Sequence, residues 1–98
     1  MDKQELLGKI SHLEQVANKM NEPDKTFKLN EVSKLRIAID GMAIYEIAQK
    51  MQGIELSKIQ EMDNAISLAT KAISSQSERV NAFNKVYEII KGVLKLVI

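Results

Sequence analysis

The C-terminal half of the chain repeats an apolar residue in alternating steps of three and four: Ile59, Met62, Ile66, Ala69, Ile73, Gln76, Val80, Phe83, Tyr87, Ile90, Leu94, Val97. An α-helix turns once every 3.6 residues, so this row falls on one stripe of a helix. A strand cannot present it on one face, because strand side chains alternate with a period of two. The pattern predicts helices packed through coiled-coil-like heptad seams. Gln76 is the single polar member of the row, and it lies in the patch Ser74-Ser75-Gln76-Ser77-Glu78-Arg79. Within that patch Ser75 and Glu78 have the spacing of a capping box, which would start a new helix. The unbroken phase argues instead for one long C-terminal helix, continuous or mildly kinked near Ser75.

The N-terminal half reads the same way. Leu6, Ile10, Leu13, Ala17 and Met20 form a stripe on a first helix, with Glu5 and Lys9 as an i,i+4 pair on its surface. Pro23 disfavours the α conformation at Glu22 and should end that helix. A second helix, starting between Asp24 and Asn30 and running to Met51, carries two apolar stripes. Val32, Leu35, Ile39 and Met42 form one; Ile37, Gly41, Ile44, Ala48 and Met51 form the other. A helix apolar on two sides needs cover on two sides, which makes this the expected central helix. Gly41 within it costs about 1 kcal/mol relative to alanine and marks either a close crossing or a tolerated irregularity. Gly53 fits a left-handed helix C-cap, and Ser57 with Gln60 fits a capping box opening the next helix. Strand signals are missing throughout. The expectation is an all-α single domain over residues 1–98, a three- or four-helix bundle with helices at roughly 2–21, 28–52, 57–75 and 77–98.

Several chemistries find no support. Fourteen Lys+Arg against thirteen Asp+Glu leave a net charge of +1, so there is no global electrostatic case for nucleic acid or an anionic membrane. The chain has no cysteine and one histidine, which excludes disulfides, thiolate metal sites and most catalytic triads. Glu61 and Asp63 are two apart on a helix and point to different faces. No glycine-rich phosphate loop or nucleophile elbow is present. The reading is a non-enzymatic protein without cofactor or metal. An N-terminus without a long apolar run and the absence of a membrane-spanning segment make a soluble cytoplasmic protein the default, with signal-independent export left open.

Three motifs invite sharper readings. In IAQKMQGIELSKIQEM, Ala48, Gly53, Ile54 and Ile59 match a DNA-reading helix-turn-helix in kind, but the glycine falls one residue late. The would-be reading helix also sets Glu61 and Asp63 against Lys58, the wrong balance for a phosphate-lined groove. The elbow of a helical hairpin is the better reading. His12, beside the first stripe, invites comparison with the phosphate-accepting histidine of histidine-phosphotransfer bundles. Here Leu13, Glu14 and Gln15 follow it, and Glu14 would repel a phosphate, so His12 reads as a solvated flank residue. Length and the near-central Gly53 invite a third comparison, with the Trp-x-Gly helical hairpins exported by Gram-positive secretion systems. This chain has no tryptophan, has Pro23 interrupting what would be their long first helix, and has Lys91 four after Tyr87 where their tail signal carries an acid.

The stretch VYEIIKGVLKLVI is apolar over well over half of its helical circumference. Beside the seam through Phe83, Tyr87, Ile90 and Leu94 runs a second stripe, Val86, Ile89, Val93 and Leu96. Either this helix is the buried centre of the bundle, or its excess face meets another chain or a membrane surface. These eight residues are the candidate protein interface. The expected function is a small interaction module that self-associates, as a homodimer, or docks onto a larger protein, in the manner of an inhibitor, immunity or adaptor protein. The alternative is a nucleic-acid-binding transcriptional regulator whose basic surface is assembled only in the oligomer.

Overall fold

A computed structural model describes residues 1–98 and contains five helices and no strand: α1 Lys3–Asn18, α2 Asp24–Asp40, α3 Ile44–Met51, α4 Leu56–Ala69 and α5 Gln76–Leu94. Helices α1 and α2 lie along one another as a hairpin, as do α4 and α5, and the short α3 joins the two. One cluster of 20 buried apolar side chains is shared by all five. The whole first stripe, Leu6, Ile10, Leu13, Ala17 and Met20, is buried in it.

The centre of the fold is shared by α1 and α5 rather than held by the second helix, for each packs on all four others, and the C-terminal stripes lie on α5. The apolar excess of α5 is largely spent on this chain's own core. Of the two stripes expected on the second helix, Val32, Leu35 and Ile39 are buried, but Ile37 and Ile44 are about 70% exposed. That helix also does not run to Met51. It ends at Asp40, and Ala43 stands in extended backbone (φ −65°, ψ 148°) as the N-cap of α3. The reason lies in α1. Lys3, at the start of α1, donates to the carbonyls of Met42 (2.9 Å) and Asp40 (3.5 Å), so the two helices finish level. A straight continuation would have nothing to pack on; turning instead buries Ile47 and Met51 completely, with α3 resting on α5 and α1.

The C-terminal half is also broken rather than continuous. Helix α4 stops at Ala69, and Ser75 opens α5 with a complete capping box: its hydroxyl accepts from Glu78 N–H (3.1 Å) while Glu78 accepts from Ser75 N–H (3.2 Å). Between them Ser74 is buried with its hydroxyl bonded to the Leu68 carbonyl. Ile73, in phase with the heptad row, is 91% exposed. The capping box expected at Ser57 does not form. Glu55 is the N-cap of α4 without a side-chain bond, and the Ser57 hydroxyl bonds Glu55 instead. Gly53 is not left-handed either; the one left-handed residue is Lys95, where Leu96 N–H returns to Lys91 O (3.0 Å) and ends α5 at Leu94 rather than at residue 98.

Helix C-termini leave carbonyls without partners, and a cation there also meets the negative end of the helix dipole. Here cations from distant elements supply both. Lys3 serves α2 and Lys50 serves α5 through the Leu94 carbonyl (3.0 Å). Lys19 serves α4 through Thr70 O (2.7 Å). Arg79 reaches Ala69 O (3.2 Å), Lys71 O (3.1 Å) and Lys19 O (3.2 Å), joining the ends of α4 and α1. Beside it Gln76 exchanges bonds with the Asn21 backbone and donates to Asp24 (2.9 Å). The lone polar member of the heptad row thus fastens the α1–α2 hairpin to the start of α5.

Candidate interaction face

The eight candidate interface residues separate into two groups. Phe83, Val86, Ile90 and Leu94 are fully buried and Tyr87 nearly so; they are core within a single chain. Phe83 and Tyr87 stack at 6.1 Å between centroids, with the Lys28 ammonium over Phe83 at 5.4 Å and that of Lys91 over Tyr87 at 5.9 Å. Burial pushes the Tyr87 phenol above its usual range, and the Glu31 and Glu88 carboxylates add to the rise. Ile89, Val93 and Leu96 remain half-buried and reach the surface. Leu96 lies past the end of α5, so only Ile89 and Val93 continue the second stripe as a helix face.

Ile89 and Val93 sit in an open cleft on the α4 side of α5, which Gly92, Glu88 and Lys58 complete. Further along the same valley Ala65, Leu68 and Ala82 form an apolar floor between Glu61 and Lys85. Gly92 leaves the rim of the valley low, and a Cβ there would meet nothing within 4 Å. Charge is distributed evenly across this face. Glu61 pairs with Lys58 at 3.5 Å and with Lys85 at 3.7 Å, and all three side chains are 38–52% exposed. Such pairs contribute little to stability.

The helix-turn-helix comparison can be judged on geometry. Helix α3 packs on α5 and α1, not on α4 as the support of a reading helix would. Asp63 is tied to Lys9 of α1, and Glu61 lies on the opposite, α5-facing side of α4. His12 is exposed on α1. No cluster of three His, Asp or Glu side chains is placed to hold a metal ion, and no helix is long and apolar enough to cross a membrane.

A second group of exposed apolar residues, Phe27, Ile37, Ile44 and Tyr45, lies on α2 and α3. Sequence reasoning assigned Ile37 and Ile44 to a covered stripe and so missed their exposure. It also missed the cations at the helix ends, whose partners lie 37–60 residues away along the chain for Lys3, Lys19, Lys50 and the Arg79–Lys19 bond. The carboxylate of Glu22 is held below its usual range by the Thr26 hydroxyl and backbone N–H, both at 2.8 Å, and serves the start of α2. Compared with known protein families, curated proteins and solved structures, the chain matches none.

Proposed function

We propose that this chain is a small non-enzymatic protein-interaction module that works through the α4–α5 valley. The observation that carries the reading is the half-buried pair Ile89 and Val93, on a rigid central helix, beside an apolar floor and within a rim of paired charges. Apolar centre and polar rim is the general anatomy of a protein–protein contact, and helices hold such a surface in one shape. Burying an aliphatic side chain contributes about 1.5–3 kcal/mol, so two or three such anchors give a useful affinity.

The test uses the tagged chain as bait in lysate of its native host, in three forms: wild type, Val93→Glu and Lys91→Glu. Val93→Glu places a charge in the valley, whereas Lys91 lies over the Tyr87 ring on another side of α5. Proteins retained by the wild type and Lys91→Glu and lost from Val93→Glu support the reading. Identical eluates from all three forms argue against it.

A further inference from the structure

We propose that the occupant of the α4–α5 valley is a second copy of this chain, turned by half a rotation so that α5 runs antiparallel to its counterpart. The inference rests on the valley being an interaction face, as proposed above, and adds the identity of the partner. It is carried by the arrangement of four charges. On α5, Lys85 and Glu88 are one turn apart; on α4, Lys58 and Glu61 are one turn apart. Glu61 is level with Lys85, its ion-pair partner at 3.7 Å. Lys58 is level with Glu88, with which it lines the same cleft. The four make a square in which neighbours along each helix and across the valley have opposite sign.

A two-fold axis lying in the face, across the helices and between the two levels, exchanges those levels. Lys85 then meets Glu88 of the second copy and Glu61 meets its Lys58, each contact occurring twice. Every charge faces its opposite, which is the self-complementarity an isologous contact demands. The rest of α5 agrees. Glu78, Asn81, Lys85, Glu88 and Gly92 form one exposed row, continued by Lys95 just past the helix. The same axis brings Glu78 opposite Lys95 and Asn81 opposite Gly92, which has no side chain to obstruct the approach. Ala82, the smallest side chain of the neighbouring row, falls at the level between Ile89 and Val93 of the other copy. A net charge of +1 per chain leaves almost no long-range repulsion between copies.

Analytical ultracentrifugation of the full chain and of charge variants tests the assignment. Wild type should sediment as two chains. Lys85→Glu sets a carboxylate against Glu88 of the second copy twice over, and so does the mirror change Glu88→Lys with lysines; each should weaken the dimer at least about tenfold. The double variant Lys85→Glu/Glu88→Lys should recover most of that loss, because the intermolecular contacts are again of opposite sign. Both substituted positions are exposed, and circular dichroism verifies that the helices persist in all three variants. A wild-type mass of one chain up to millimolar concentration overturns the assignment, as does a double variant weaker than either single one. If the mass is that of one chain while Val93→Glu still loses bound protein from lysate, the second copy is refuted and the interaction module stands.

Discussion

Arg79 is the residue whose loss should harm this fold more than its surface position suggests. Its guanidinium donates to three carbonyls, at 3.1 and 3.2 Å, that belong to the C-terminal ends of α1 and α4. Arg79→Met keeps the aliphatic stem and removes all three bonds along with the charge at two helix dipoles. A net hydrogen bond contributes about 0.5–1.5 kcal/mol, and one from a charged donor about 1.5–3. The site is half-buried, so water replaces part of what is lost, and the expected destabilisation is about 2–3 kcal/mol in total. At about 4–8 °C per kcal/mol for a domain of this size, the melting temperature should fall by roughly 10–20 °C. Arg36→Met is the control. That arginine pairs with Glu14 at 2.5 Å between side chains that are 37% and 39% exposed, and exposed pairs contribute about 1 kcal/mol at most. Urea unfolding followed by circular dichroism at low protein concentration measures both. Equal losses for the two variants would refute the claim that cations on carbonyls, rather than ordinary surface pairing, tie the two hairpins together.

Three further outcomes follow from the helix ends and from Tyr87. Ser75→Ala should cost about 1 kcal/mol because it removes a formed cap, whereas Ser57→Ala should change stability by less than about half of that; urea midpoints compare them. Ala43→Asp should stabilise by roughly 0.5–1 kcal/mol, since Ala43 already has N-cap backbone geometry and lacks only the side-chain acceptor; in an unbroken helix the same change would destabilise, so the sign of the shift is the readout. Because the Tyr87 phenol is raised above its usual value near 10, the unfolded chain ionises first as pH rises past 10, and stability held below that pH is lost above it. Tyr87→Phe should therefore flatten the alkaline limb of a stability–pH profile relative to wild type, and an unchanged limb would count against the shift.

What the sequence disclosed was burial, and what it withheld was direction. The stripe Leu6, Ile10, Leu13, Ala17 and Met20 was legible because each member points into the core of one helix hairpin. The heptad phase from Ile59 to Val97 was equally regular, yet the chain reverses between Thr70 and Ser75. Spacing records which residues face a core and is unchanged when the helix carrying them doubles back, so phase alone cannot locate a turn. The capping box could, and it competed with the phase at the one place where the two disagreed. The break before α3 had only Gly41, the C-cap residue of α2, as a local signal, and a helix tolerates a single glycine. It depends on where α1 begins, through Lys3, and on Ile47 and Met51 finding cover against α1 and α5.

The same distinction governs the candidate face. Eight residues of the C-terminal stretch had the composition of an interface, but composition does not say how many neighbours a helix has. Because α5 is enclosed by the other four helices, five of the eight are core, and the surface left to a partner is the narrow side between Ile89 and Val93. Its charges were visible in the sequence only as an acidic excess on α4. Folding pairs Glu61 with Lys85 and puts Lys58 and Glu88 on the lining of one cleft, which turns that excess into a balanced square. A partner that is uniformly acidic or basic would meet as much repulsion as attraction on this square, and a partner with the same alternation in reverse order would meet attraction alone. That is the condition which a second copy satisfies by symmetry.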